Sequence, residues 1–332
     1  MRLLGWVESG GRRLTVTEVE AIAGKDPRNV AAFGGEFSLS WNGCTATDRL
    51  GILGIPGPYG VITCRGEVVG KVDPDPTALG LEQAIRTSVR LRADKGAVAL
   101  SGGVDSALIA SLAGLPCVTV GLEGSHDLEK GSEVARVLGL AWEGVVVTTD
   151  DVEAALPHVV SAIPKATPLD VSIATGLFFV ARWAGMKGHR RILVGQGADE
   201  LFGGYARHRT AADLPPMLVR DFASLRGQAL RDQAVARLHG ACFSLPYLDL
   251  RVVRAARSLP AENLVSADTG KVPLREVAAR ILPPDIASAP KKAMQYGSGI
   301  AGAIRGLARK NGYKRSVQGY IIQISGGRDG LT

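Results

Sequence analysis

The chain has 332 residues, of which 46% are hydrophobic and 21% charged, and its formal net charge is +7. That length suits one large domain with a smaller companion, and the composition excludes a disordered, collagen-like or fibrous chain. The positive balance admits phosphate-bearing partners, from a nucleotide to a nucleic acid.

Residues 1 to about 75 read as β-rich. Phe37, Leu39 and Trp41 alternate with Ser38 and Ser40, and Asn42-Gly43 then supplies a type I′ hairpin turn. Val61-Ile62-Thr63, the Arg65-Gly66 turn and Val68-Val69 predict a second hairpin. Asp73-Pro74-Asp75-Pro76 breaks regular structure and reads as a linker, which sets domains at 1–75 and 76–332. Residues 77–92 predict a helix, with Leu79, Leu81, Ala84, Ile85 and Val89 mostly on one stripe.

The apolar run Ala97–Leu100 reads as a buried parallel strand, and Ala107–Leu112 as a helix. Between them lies Ser101-Gly102-Gly103-Val104-Asp105-Ser106, a glycine turn from a strand end into a helix start. Glycines let a backbone approach an anion, and the free N–H groups of a helix N-terminus bind phosphate oxygens. Asp105 makes sense in such a place if it holds Mg²⁺. A Walker A loop is excluded, because Gly24-Lys25, Gly70-Lys71 and Gly270-Lys271 are not followed by Ser or Thr.

Further strands are expected at Cys117–Gly121, Val145–Val147 and Arg190–Val194, and helices at Leu128–Leu138 and Val171–Gly185. Strands alternating with helices across short turns predict a doubly wound parallel sheet, with a ligand at the carboxyl ends of its strands. The fourth strand runs into Gly195-Gln196-Gly197-Ala198-Asp199-Glu200-Leu201-Phe202-Gly203-Gly204-Tyr205. That is a second glycine-rich loop with acids, and Asp105 and Asp199 together could grip one Mg²⁺. Helical patterns over Leu214–Leu238, Leu250–Leu259 and Lys271–Leu282 make the second half α-rich.

The four cysteines, at 44, 64, 117 and 242, stand singly, which fits a reducing cytosol and argues against a structural zinc site. Met1–Trp6 lacks the apolar segment of a signal peptide. Ile173–Met186 is interrupted by Arg182 and reads as too short to cross a membrane. The expected place is therefore the cytoplasm, with no membrane partner. From Lys291 to Arg328 there are eight Lys or Arg and no Asp or Glu, which is either a solvated face or a surface that touches nucleic acid or binds ATP phosphates.

Ser-Gly-Gly-Val-Asp-Ser after a strand resembles the pyrophosphate loop of the enzymes that cleave ATP to AMP and pyrophosphate. The second loop narrows the resemblance to asparagine synthetases and the related β-lactam-forming synthetases. Leu245-Pro246-Tyr247-Leu248-Asp249, Gly270–Glu276 and Pro290–Gly299 resemble three further segments of that family, in the same order. Gly35-Glu36-Phe37-Ser38-Leu39 and Thr47-Asp48-Arg49-Leu50-Gly51 resemble, more faintly, the interior of the glutaminase domain that precedes the synthetase domain. That domain uses an N-terminal cysteine, whereas this chain begins Met1-Arg2. Residues 1–75 are thus expected to be a reduced, glutaminase-like domain without glutaminase activity, or else an unrelated small β-domain.

The resemblance implies ATP and Mg²⁺ as cofactors and an acyl-adenylate intercepted by a nitrogen nucleophile. It implies that Ser101, Gly102, Gly103 and Ser106 hold pyrophosphate, and that Val120, Gly121, Gly195 and Gly197 lie against the nucleotide. Asp105 and Asp199 would hold the metal, while Lys271 and Lys291 would neutralise the leaving pyrophosphate. Gln196 stands where the family usually carries glutamate, and Cys242 and Ser244 stand where it usually carries glutamate and arginine. These departures touch the acceptor side. The expected activity is an amide ligase acting on an aspartate-like carboxylate, with free ammonia or ammonia from a separate glutaminase. An RNA-modifying enzyme with the same ATP chemistry, and a nucleotide-binding protein without turnover, are the alternatives.

Overall fold

The structure is a computed structural model that describes residues 1–74, 78–289 and 297–326. Lys291 and the rest of the 290–296 segment lie outside these residues, as do Asp75 and Pro76 of the expected linker. The chain divides into two compact units, each built from three separate segments.

The first unit comprises Met1–Asp94, Gln196–Ala229 and Ser244–Val277. Its sheet contains β1 (Arg2–Ser9), β2 (Arg12–Arg13), β3 (Gly34–Trp41), β4 (Cys44–Thr47), β5 (Val61–Cys64) and β6 (Glu67–Lys71), in the order β2-β1-β3-β4-β5-β6. Every pairing is antiparallel. Both expected hairpins are present: Asn42 and Gly43 have φ of 42° and 74°, Arg65 and Gly66 of 52° and 88°, as a type I′ turn requires. Sequence reading missed β1 and the helix α1 (Val16–Lys25), which packs its Val19 and Ala23 into the sheet's core with Phe37 and Leu39. Thr15 and Glu18 close a capping box at its start.

One expectation about the cysteines is corrected. Cys44 and Cys64 form a disulfide, because the β4–β5 register sets them directly opposite each other. Spacing alone hid this pair, and it removes the argument for a reducing compartment that rested on single cysteines. Cys117 and Cys242 take part in no disulfide among the described residues.

The same unit holds α2 (Leu81–Arg92), shorter at its start than expected, packed on the 3₁₀ turn Pro246–Leu248 and on the helix Leu250–Arg257. Between them and the sheet lies a buried cluster of charges. Arg92 pairs with Glu36 at 2.8 Å and with Asp249 at 2.9 Å, and Arg251 pairs with Glu8 at 2.7 Å and with Asp249 at 3.1 Å. Burial alone would raise the pKa of Glu36. The charge of Arg92, the Ser244 hydroxyl and the Leu245 N–H outweigh it and hold that carboxyl below its ordinary range.

The second unit comprises Lys95–Gly195, Leu230–Phe243 and Ala278–Thr332. Its strands β7 (Ala97–Ala99), β8 (Cys117–Leu122), β9 (Trp142–Val147), β10 (Arg191–Leu193) and β11 (Cys242–Ser244) run in the order β11-β10-β7-β8-β9. The β10–β7, β7–β8 and β8–β9 pairings are parallel. Helices α3 (Val104–Ala113) and α4 (His126–Leu138) make the first two crossovers. Two more, α5 (Thr149–Ala162) and α6 (Pro168–Met186), link β9 to β10. This is the expected doubly wound sheet. Winding proceeds from β7 outward through β8 and β9, then returns to place β10 on the other side of β7, so the switch point falls between β7 and β10.

Helix α6 is longer than expected. Its 19 residues are long and apolar enough to cross a membrane, correcting the reading of Ile173–Met186 as too short, but 67% of its most apolar window is buried inside the protein. That burial is what the central helix of a parallel sheet requires.

Candidate active site

The residues of the first glycine-rich loop sit at the switch point. After β7, Leu100 is buried and the chain turns through Ser101-Gly102-Gly103 into α3. Gly102 has φ +78°, and a Cβ there would stand 2.6 Å from Cβ of Lys130 on α4, so both backbone and space demand glycine. The Ser106 hydroxyl donates to the Gly103 carbonyl at 3.1 Å, accepts from the Ser101 N–H at 3.2 Å and lies 3.2 Å from the Ser101 hydroxyl. These bonds fix the loop's curvature. The first N–H taken by the helix ladder is that of Ala107, bound to Gly103 O at 3.0 Å; the N–H groups before it, at the positive end of the helix dipole, have no acceptor within the helix.

Two other predicted contacts lie in this unit. Gly195, just beyond β10, is close enough to α3 that a Cβ would meet the Cβ of Asp105 at 3.2 Å. The carboxyl ends of β7 and β10 are therefore brought against one helix turn. Val120 and Gly121 lie on the carboxyl half of β8, both buried, and side-chain space at Gly121 is filled by Ser125.

The first unit carries the rest. Gln196, half-buried, precedes Gly197, whose φ of +92° opens the short helix Ala198–Phe202 and whose Cα faces Leu248. Asp199 lies on that helix, and Lys271 Nζ is 2.6 Å from its Oδ1. Lys271 is only 3% exposed and has φ +60°, a left-handed conformation that costs a residue with a side chain roughly 1–2 kcal/mol. The glycines explain how two loops come this close. A Cβ on Gly204 would collide with Asp199 and Lys271, and one on Gly270 with the Gly203 carbonyl. Lys271 N–H also donates to Phe202 O at 3.0 Å.

The remaining motif residues support this loop. Tyr205 Oη donates to Glu200 Oε1 at 2.6 Å, and Gln228 Nε2 donates to the same oxygen at 3.1 Å. Burial, and then the Glu200 charge, push the Tyr205 phenol well above its usual pKa, so it remains a donor. In Leu245–Asp249, Leu248 buttresses Gly197 while Asp249 caps the following helix and pairs with Arg92. That motif builds scaffold. Ser244 is fully buried and its hydroxyl donates to Glu36 Oε2 at 2.5 Å, whereas the Cys242 thiol, half-buried in the other unit, faces the Arg190 carbonyl at 3.3 Å.

Gln228 and the Glu36–Arg92–Asp249 cluster escaped sequence reasoning, since partners 28 to 157 residues apart leave no local signal. Among the described residues no three His, Cys, Asp or Glu side chains cluster as a metal site.

A family profile described as asparagine synthase matches residues 80–220 and 210–321. Among relatives, the Methanocaldococcus jannaschii protein named "Putative asparagine synthetase (glutamine-hydrolyzing) 1" is 32% identical over 281 residues, which cover 71% of this chain and 52% of that one. Asparagine synthetases (glutamine-hydrolyzing) of Sandersonia aurantiaca and Arabidopsis thaliana are 28% and 30% identical, over 62% and 53% of this chain. The chain spans 52%, 43% and 33% of the lengths of these three relatives. With that profile lying over both glycine-rich loops and the lysine that reaches the second of them, this chain belongs to the asparagine synthase family.

Proposed function

We propose that the protein is an ATP-dependent amide ligase that forms AMP and pyrophosphate, activating an aspartate-like carboxylate as its acyl-adenylate for attack by ammonia. The observation that carries this reading is the loop at the switch point, where glycine geometry and the α3 N-terminus leave backbone donors for phosphate oxygens. Ser101, Gly102, Gly103 and Ser106 would hold the pyrophosphate moiety, with Val120, Gly121, Gly195 and Gly197 along the nucleotide. Lys271, held in place by its backbone and by Asp199, would meet the charge that builds on the leaving pyrophosphate. Lys291 is assigned the same role from its place in the motif.

Mg²⁺ would neutralise the phosphates. The carboxylates of Asp105 and Asp199 are hard oxygen donors of the kind that ion takes, and they would hold it. Gln196 offers a carboxamide, which can position a substrate by donating and accepting hydrogen bonds but cannot take up a proton as a base.

Residues 1–75 act in this proposal as a reduced glutaminase-like region that supplies no nucleophile. In support, its two cysteines, Cys44 and Cys64, are bonded to each other. Ammonia would come from solution or from a separate glutaminase.

The test is pyrophosphate release from MgATP with ammonium and a panel of carboxylates that includes aspartate, compared with Asp105→Ala. Release that depends on one carboxylate and is lost in the variant is expected. No release with any carboxylate, while ATP still binds, overturns the proposal.

A further inference from the structure

We propose that the outward face of the helix Ile300–Lys310, together with the turn that follows it, binds a polynucleotide through its phosphodiester backbone. This helix buries Ile300, Ala303, Ile304, Leu307 and Ala308 and packs on α5 and α6. Its other side carries Arg305 and Arg309 one turn apart, with Lys310 beside them. Lys314 and Arg315 follow in the turn that leads to the helix Val317–Ile324. All five cations are exposed, and residues 297–326 contain no Asp or Glu. Among the described residues none of the five has an ion-pair partner, which is equally true of exposed cations such as Lys25, Arg65 and Lys165; what sets this segment apart is five cations between residues 305 and 315 with no acid interspersed. Glu153 of α5 lies close enough to Tyr320 on the second helix to act on its phenol.

Intrahelical electrostatics explain only part of the cluster. Arg309 and Lys310 lie in a last helical turn, where cations complement the dipole. Lys314 and Arg315 are placed the opposite way, immediately before the Ser316 cap of the second helix, where the dipole favours anions. An incoming phosphate satisfies both the cations and that helix end. Between the two groups of cations, Tyr313 is half-buried, its ring resting on Gly319 and 6.1 Å from that of Tyr320. This offers a flat surface on which a base can stack. No exposed large hydrophobic residue occurs in this segment, so a bilayer has no anchor here.

Binding of a labelled 20-nucleotide single-stranded RNA, the matching single-stranded and duplex DNA, and vesicles with anionic lipid is measured by anisotropy or cosedimentation across a salt series. Five phosphate contacts predict a log–log salt slope of about −3.5 for a single strand, so a fourfold rise in salt weakens binding on the order of 100-fold. Replacing all five cations by Ala is expected to abolish binding, and Lys314→Ala/Arg315→Ala to shallow the slope by about 1.4, with unfolding midpoints unchanged. A control, Arg12→Ala/Arg28→Ala/Lys187→Ala, is expected to bind as the parent does. The proposal is overturned if neither RNA nor DNA binds at low salt, if both sets of Ala variants bind equally well, or if only the vesicles bind. The RNA and DNA arms identify which polynucleotide is preferred.

Discussion

Lys271 joins three facts that are rarely found in one residue: burial, a left-handed backbone and a carboxylate within ion-pair distance. Its side chain is therefore placed before any ligand arrives, which is the preorganisation that electrostatic catalysis needs. Replacing Lys271 by Met is expected to lower the rate of pyrophosphate formation by at least roughly 100-fold while ATP binding changes much less; comparing the single-turnover rate with the ATP dissociation constant checks this. The backbone effect separates from the charge effect. Lys271→Gly, free of steric conflict at φ +60°, is expected to be about 1 kcal/mol more stable than Lys271→Ala by urea denaturation, although both lack the ammonium group. Equal stabilities would show that the left-handed geometry carries no strain.

At the scale of single elements, two features yield tests and also mark what sequence could convey. The phosphate loop was legible as a glycine turn between strand and helix, but the reason for Gly102 was not, since Lys130 of α4 is 28 residues away. Gly102→Ala must displace either that helix or the loop. A loss of roughly 1–3 kcal/mol and at least tenfold weaker ATP binding are expected, by thermal denaturation and calorimetry. The Cys44–Cys64 bond closes a loop of sequence separation 20 and is expected to contribute about 3 kcal/mol, lost in Cys44→Ala/Cys64→Ala. Alkylation of the unfolded, unreduced chain should modify two cysteines; modification of all four would disprove the bond. Hairpin turns are local signals, and Asn42-Gly43 and Arg65-Gly66 announced themselves. The register between β4 and β5 is not local, because the long 48–60 connection intervenes. Helix α1 was missed although its Thr15…Glu18 capping box lay in plain view, overshadowed by the β-rich residues that follow.

For the molecule as a whole, the doubly wound class of the parallel sheet followed from strands alternating with helices, whereas its strand order and the division into two compact units did not. Each unit draws on three segments, and contacts across such distances leave no trace in composition or period. The buried charges show what such an arrangement demands. Arg92 alone neutralises Glu36 and half of the demand of Asp249, all with side chains at most 5% exposed. Arg92→Met would strand those carboxylates and is expected to cost about 3–5 kcal/mol, measured by chemical denaturation. A cost under 1 kcal/mol would mean that water already reaches the cluster.

The same cluster bears on truncation. Of its three carboxylates, two, Glu8 and Glu36, stand on the N-terminal sheet, while both arginines stand outside it. Cutting those strands away would leave Asp249 as the one carboxylate of the cluster, shared between two buried guanidinium groups. Whatever else they do, the strands serve the interior as counter-ions.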